Sequence, residues 1–164
     1  MTAIVNSRMI ILALIELEQK GYTFYQEAAE GMEEGVVKNL FLKLAKDEQA
    51  HERTYKELLE KYSDDDDIPG DEDESYLKLM LDFNTSIINE EKAEKIKKVL
   101  SKREALIIAE KLEKDTIMVL NEIVEFDKEF NRSKAYKIAL KEEKNHLRLI
   151  LSQLMDANIG SLML

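Results

Sequence analysis

The sequence predicts an all-α chain, an antiparallel four-helix bundle with a long crossover between its second and third helices. Three observations carry that prediction. Five Gly and one Pro in 164 residues leave too few chain-breakers for the many turns of a β-protein. Apolar residues recur at helical spacing in four long segments. The last two segments repeat the first two at a fixed offset of 95 residues.

The first helix starts near Asn6 or Ser7 and runs to about Gly31, with Ile11, Leu14, Glu18, Gly21, Tyr22 and Tyr25 on one stripe. The second spans about Gly35 to Tyr62, with Leu40, Phe41, Leu44, Glu48, His51, Tyr55 and Leu58 in register. The third begins at Ser101, where Ser101 and Glu104 match a capping box, and continues to about Phe126. The fourth covers roughly Asn131 to Asp156 and carries Tyr136, Ala139, Leu140, Glu143, His146 and Ile150. The remaining tail, 158–164, is too brief for a fifth helix. The crossover, 63–100, holds an acidic solvated loop at 64–74 and room for short helices at 74–83 and 90–100. A crossover of this length suits a bundle whose second and third helices run parallel. One domain, 1–164, accounts for the chain, built from helix pairs 7–62 and 101–156.

Composition excludes much. The absence of Cys removes disulfides, thiolate zinc sites, iron–sulfur clusters and thiol catalysis. Two His cannot build a three-His metal site. A net charge of −10 argues against nucleic acid and anionic membrane surfaces as partners. The apolar run 9–15 is too short for a membrane span and lacks the flanks of a signal peptide, so the expected location is the cytoplasm.

Both His follow a Glu by three positions, in Glu48-Gln-Ala-His51 and Glu143-Lys-Asn-His146. At the offset of 95, residues 11–60 and 106–155 are identical at ten of fifty positions, including Glu18/Glu113, Glu48/Glu143 and His51/His146. Residues three apart on a helix face the same way, so each Glu and His can grip one ion together. Glu18 and Glu113 stand mid-stripe among apolar neighbours, where an unpaired carboxylate is costly. Two divalent ions neutralise four carboxylates, and a mixed carboxylate–imidazole set suits iron or manganese better than calcium. The competing reading is two surface Glu–His pairs with Glu18 and Glu113 at the rim. Burial decides between them. Asp47 and Glu142 precede Glu48 and Glu143 but fall off the inward face, so the spacing names no partner for the outer ring nitrogens.

These residues give the chain its resemblance. It resembles the ferritin-like di-iron carboxylate superfamily, which takes one Glu from each of two helices and Glu-x-x-His from each of the other two. It is most similar to the rubrerythrin-like branch, through Glu18-x-x-Gly21-x-x-x-Tyr25, Glu48-x-x-His51 and Glu113-Lys-Asp-Thr-Ile117. The resemblance implies a ferritin-like bundle holding two iron ions, with manganese or zinc as alternatives. It places Glu18 and His51 on one ion, Glu113 and His146 on the other, and Glu48 and Glu143 between them. It implies a di-iron oxidoreductase acting on hydrogen peroxide or dioxygen, as a homodimer, with Tyr25 the candidate catalytic residue beside the metals. Two departures stand out. Rubrerythrins proper carry a further Glu three residues after the third-helix ligand, where this chain has Thr116, and they carry a four-Cys rubredoxin module. Glu110, one turn earlier, is the nearest stand-in carboxylate. Electrons must then come from a separate protein. The alternatives are a ferroxidase or iron-storage protein, and a bundle bridged by a metal without redox chemistry.

Overall fold

A computed structural model describes residues 7–61, 101–126 and 134–162. Among them are four α-helices and no strand: α1 (Ser7–Glu30), α2 (Val36–Leu59), α3 (Lys102–Phe126) and α4 (Lys134–Leu162). The expected crossover, with its acidic loop and short helices, lies outside the described residues, as do Asn6 and Asn131.

Each helix begins and ends for local reasons. Gly35 lies before α2 and offers its carbonyl to the Asn39 amide at 3.1 Å. The Ser101 hydroxyl accepts from the Glu104 amide at 3.2 Å, and Glu104 accepts from the Ser101 amide at 2.8 Å. This is the reciprocal capping box its sequence predicts. The carboxyl of Glu104 lies below its ordinary pKa because Ser101 donates to it. α4 runs past the expected end at Asp156 to Leu162. Asn158 and Gly160 resemble a stop, but with no proline the backbone ladder continues through them.

Contacts along the helices fix their directions. Tyr25 meets Phe41 while Glu18 meets His51, so α1 and α2 are antiparallel. Asp47 meets His146 while His51 meets Glu142, which makes α2 and α4 antiparallel. Tyr25 also reaches Glu113, and Ile11 shares an apolar layer with Val119, so α1 and α3 are antiparallel as well. α2 and α3 therefore run parallel on opposite corners of a square. The end of α2 and the start of α3 lie at opposite ends of a bundle about 36 Å long, which the connecting chain must cover.

The core forms two apolar layers with a polar layer between. One holds Ile11, Leu14, Tyr55, Leu58, Leu120 and Tyr136. The other holds Phe24, Tyr25, Phe41, Leu44, Leu106 and Ile150. Tyr22, Leu40 and Leu140, which share the stripes, are only partly buried at the margins. Glu18, Glu48, His51, Glu113, Glu143 and His146 are at most 5% exposed and fall between the layers in sequence on every helix. That burial rejects the surface-pair reading.

Candidate metal centre

The six side chains converge in two overlapping sets. Glu18, Glu48, His51 and Glu143 offer ligand atoms within 4.8 Å of one another, and Glu48, Glu113, Glu143 and His146 do the same. Glu48 and Glu143 belong to both. The imidazoles stack, with ring centroids 5.6 Å apart. His51 Nδ1 lies 2.7 Å from Glu143 and 3.5 Å from Glu18. His146 Nδ1 lies 3.4 Å from Glu143, 3.5 Å from Glu48 and 3.6 Å from Glu113.

Proximity here is not hydrogen bonding. Glu18 Oε1, Glu113 Oε2, both Glu143 oxygens and both Nδ1 atoms are buried without a hydrogen-bond partner among the described residues. Even the 2.7 Å approach of Glu143 to His51 makes no hydrogen bond. The outer nitrogens are bonded instead: His51 Nε2 lies 2.8 Å from Glu142, and His146 Nε2 lies 3.2 Å from Asp47. With Nε2–H donating to a carboxylate, the neutral ring turns its Nδ1 lone pair toward the cluster. Lone pairs and carboxylates converging on a dry centre are the donor set of a divalent transition metal, and the residues fit such ions.

Asp47 and Glu142 thus supply what the sequence left unnamed. Each stands about 100° from its inward-facing neighbour, on the flank between helices, and reaches the imidazole of the other half. The signal was present, since the two acids are themselves related by the 95-residue offset. Lys43 also donates to Asp47. Glu110 turns away to pair with Lys114 at 2.5 Å and does not replace the carboxylate that Thr116 lacks.

Without metal, protons balance the cluster. Burial raises Glu18, and the charge of Glu48 raises it further. Burial likewise raises Glu113, reinforced by Glu48 and Glu143. Burial would also raise Glu48 and Glu143, but both are lowered: contacts with Glu18, His146 and His51 outweigh it at Glu48, and the two imidazoles outweigh it at Glu143. Burial opposes the imidazolium of His146, yet Glu113, Glu143 and Glu48 push its pKa up to about 12. His51 is raised the same way, against burial, by Glu143, Glu18 and Glu48. Two imidazolium ions then face the two lowered carboxylates, while Glu18 and Glu113 hold their protons to higher pH than a free glutamate does.

Tyr25 is fully buried, packed edge-on against Phe24 and Phe41 at 5.2 and 5.3 Å. Its hydroxyl donates to Glu113 Oε1. Burial and the charge of Glu113 raise its pKa, so it stays a donor at neutral pH. At Gly21 an added Cβ would just touch Glu48, 3.4 Å from its Cγ, which leaves room for a methyl but not for a branched side chain. Gly21→Val adds methyls beyond that point. It should cost about 1–3 kcal/mol in urea unfolding, since overpacking outweighs the small gain in helix propensity. Unchanged stability would show that Glu48 yields freely.

An all-helical bundle with a buried carboxylate–imidazole layer defines a ferritin-like protein. The chain belongs to the rubrerythrin family, whose model matches residues 10–154. Its fold is similar to the crystal structure of a Thermotoga maritima protein provisionally described as a ferritin-like diiron-carboxylate protein. The TM-score is 0.74 at 24% identity, over 96% of this chain and 99% of that one. No curated protein matches significantly. No helix among the described residues is long and apolar enough to cross a membrane.

Proposed function

We propose that this chain is a di-iron oxidoreductase that reduces hydrogen peroxide or dioxygen, with Glu18, Glu48, His51, Glu113, Glu143 and His146 holding the metals. The observation that carries the reading is the pair of overlapping donor sets whose inward Nδ1 atoms have no hydrogen-bond partner among the described residues. Glu18 and His51 would hold one ion and Glu113 and His146 the other, with Glu48 and Glu143, common to both donor sets, available to each. Iron(II) bound there would supply the two electrons that, with two protons, turn one peroxide into two waters.

The protein's own groups do the rest. Glu142 and Asp47 orient the imidazoles through Nε2. Tyr25 holds Glu113 and keeps its phenolic proton. The apolar layers above and below exclude water and strengthen every charge interaction between them. We assign re-reduction to a separate electron-donor protein and take the working unit to be a homodimer.

The test is anaerobic loading with iron(II), then mixing with peroxide or oxygen. Expected are two ions per chain, one peroxide consumed per two iron(II), and near-ultraviolet ferric absorbance retained on the protein. No absorbance change with either oxidant defeats the redox reading and leaves a non-redox metal bundle. Ferric iron that departs after oxidation, with light scattering showing a large assembly, would make the chain an iron-handling protein instead.

A further inference from the structure

The duplication does not extend to the hydroxyl groups beside the cluster. On the Glu113 side the hydroxyl comes from Tyr25 of α1, and Ile150 of α4 lies in the same apolar layer. The repeat counterpart of Tyr25 is Leu120, which lies in the opposite layer. That layer has two phenols, Tyr136 of α4 and Tyr55 of α2, and the counterpart of Tyr55 is Ile150. The tyrosines nearest the cluster in sequence, Tyr25 after Glu18 and Tyr55 after His51, thus come from different helices on its two sides.

The two tyrosines differ in what they bond. Tyr25 donates to a carboxylate. Tyr55 is fully buried, one turn beyond His51 on the same face, and its hydroxyl has no hydrogen-bond partner among the described residues. Burial raises its pKa, and among the cluster's acids Glu18 raises it further than Glu143 or Glu48. Glu18 Oε1 is also unpartnered, so the two groups do not bond each other. A phenylalanine would fill nearly the same space without burying an unpaired hydroxyl, which carries a desolvation cost. One side of the centre is closed by a Tyr–Glu bond, and the other keeps a donor in reserve.

We propose that the small ligand of the centre docks on the Glu18 side, with the Tyr55 hydroxyl as its hydrogen-bond donor. The ligand class is a compact oxygen or nitrogen anion, or a peroxide, able to accept one hydrogen bond. The inference rests on the dinuclear reading and adds to it a direction of entry and a residue. The Glu113 side, held by Tyr25, stays shut.

Azide is the probe. Full-length wild type and Tyr55→Phe are loaded with two equivalents of iron(II), oxidised in air and titrated with azide by visible absorbance, and metal content is measured on the same samples. Tyr55→Phe should retain two irons per chain and bind azide about tenfold more weakly, the worth of one hydrogen bond to a charged ligand. Its metal-free form should melt at or above the wild-type temperature, because the lost hydroxyl had no partner among the described residues. Equal azide affinity at full metal content overturns the proposal and leaves the dinuclear reading standing. A lower melting temperature for the metal-free variant also overturns it, by marking the hydroxyl as structural. Failure of the wild type to take up two ions removes the dinuclear reading and this proposal together.

Discussion

Glu48→Gln is expected to abolish paired metal uptake, leaving at most one weakly held ion per chain. Glu18→Gln should spare the other ion. The difference follows from position: Glu48 belongs to both donor sets, whereas Glu18 belongs to one. The same variant strains the metal-free protein. Glu48 is an ionised partner of both imidazolium rings. Removing one side of a buried ion pair costs about 3–5 kcal/mol, because the charges left behind stay desolvated. For a chain of this size that corresponds to a melting temperature lower by on the order of 10 °C. Metal analysis after dialysis and thermal melts followed by circular dichroism check both arms. Two tightly held ions in Glu48→Gln would refute the sharing of this carboxylate. An unchanged metal-free melt would refute its role as counter-charge.

Much of this arrangement is legible in the sequence because a bundle maps spacing onto space with little loss. Glu18, Glu48, Glu113 and Glu143 stand on apolar stripes, so each helix points its carboxylate into the core wherever the helix lies. The repeat then brings two such sets to one level. Spacing within a single helix is silent about residues that act between helices. Asp47 and Glu142 look idle on their own helical wheels, yet reach across the α2–α4 seam to the histidines. Tyr55 is another case. Its stripe position reads as packing, and packing it does; that its hydroxyl lacks a partner among the described residues depends on which groups three other helices bring near. The end of α4 was hidden for a different reason: Asn158 and Gly160 weigh against helix only slightly, and backbone hydrogen bonding overrides them.

Uptake of two divalent ions at pH 7 should release at least two protons per chain, from His51 and His146, together with any that the raised Glu18 and Glu113 still hold. Metal ligands must be deprotonated, and these four are the groups whose protonated forms the metal-free core favours. Titration with zinc(II) in weakly buffered indicator dye measures the release without redox chemistry. Fewer than one proton per ion would show that the cluster is already stripped before metal arrives. The same inventory fixes opposite pH trends for the two forms. In the metal-free protein His146 is raised to about 12 from an ordinary 6.5, so its contribution to stability is complete below 6.5 and is lost as pH rises toward 12. Glu18 and Glu113, also raised, lose theirs as pH rises above 4.5. Glu48 and Glu143, lowered, contribute above 4.5 and lose it as pH falls below. The metal-free protein should therefore melt higher at pH 5.5 than at pH 8. The zinc-loaded protein should do the reverse, since at pH 5.5 protons compete with metal for the same lone pairs. Thermal melts of both forms at the two pH values decide the matter. Parallel trends would mean that the buried glutamates and histidines do not exchange protons for metal, and that the charge of the cluster is balanced in some other way.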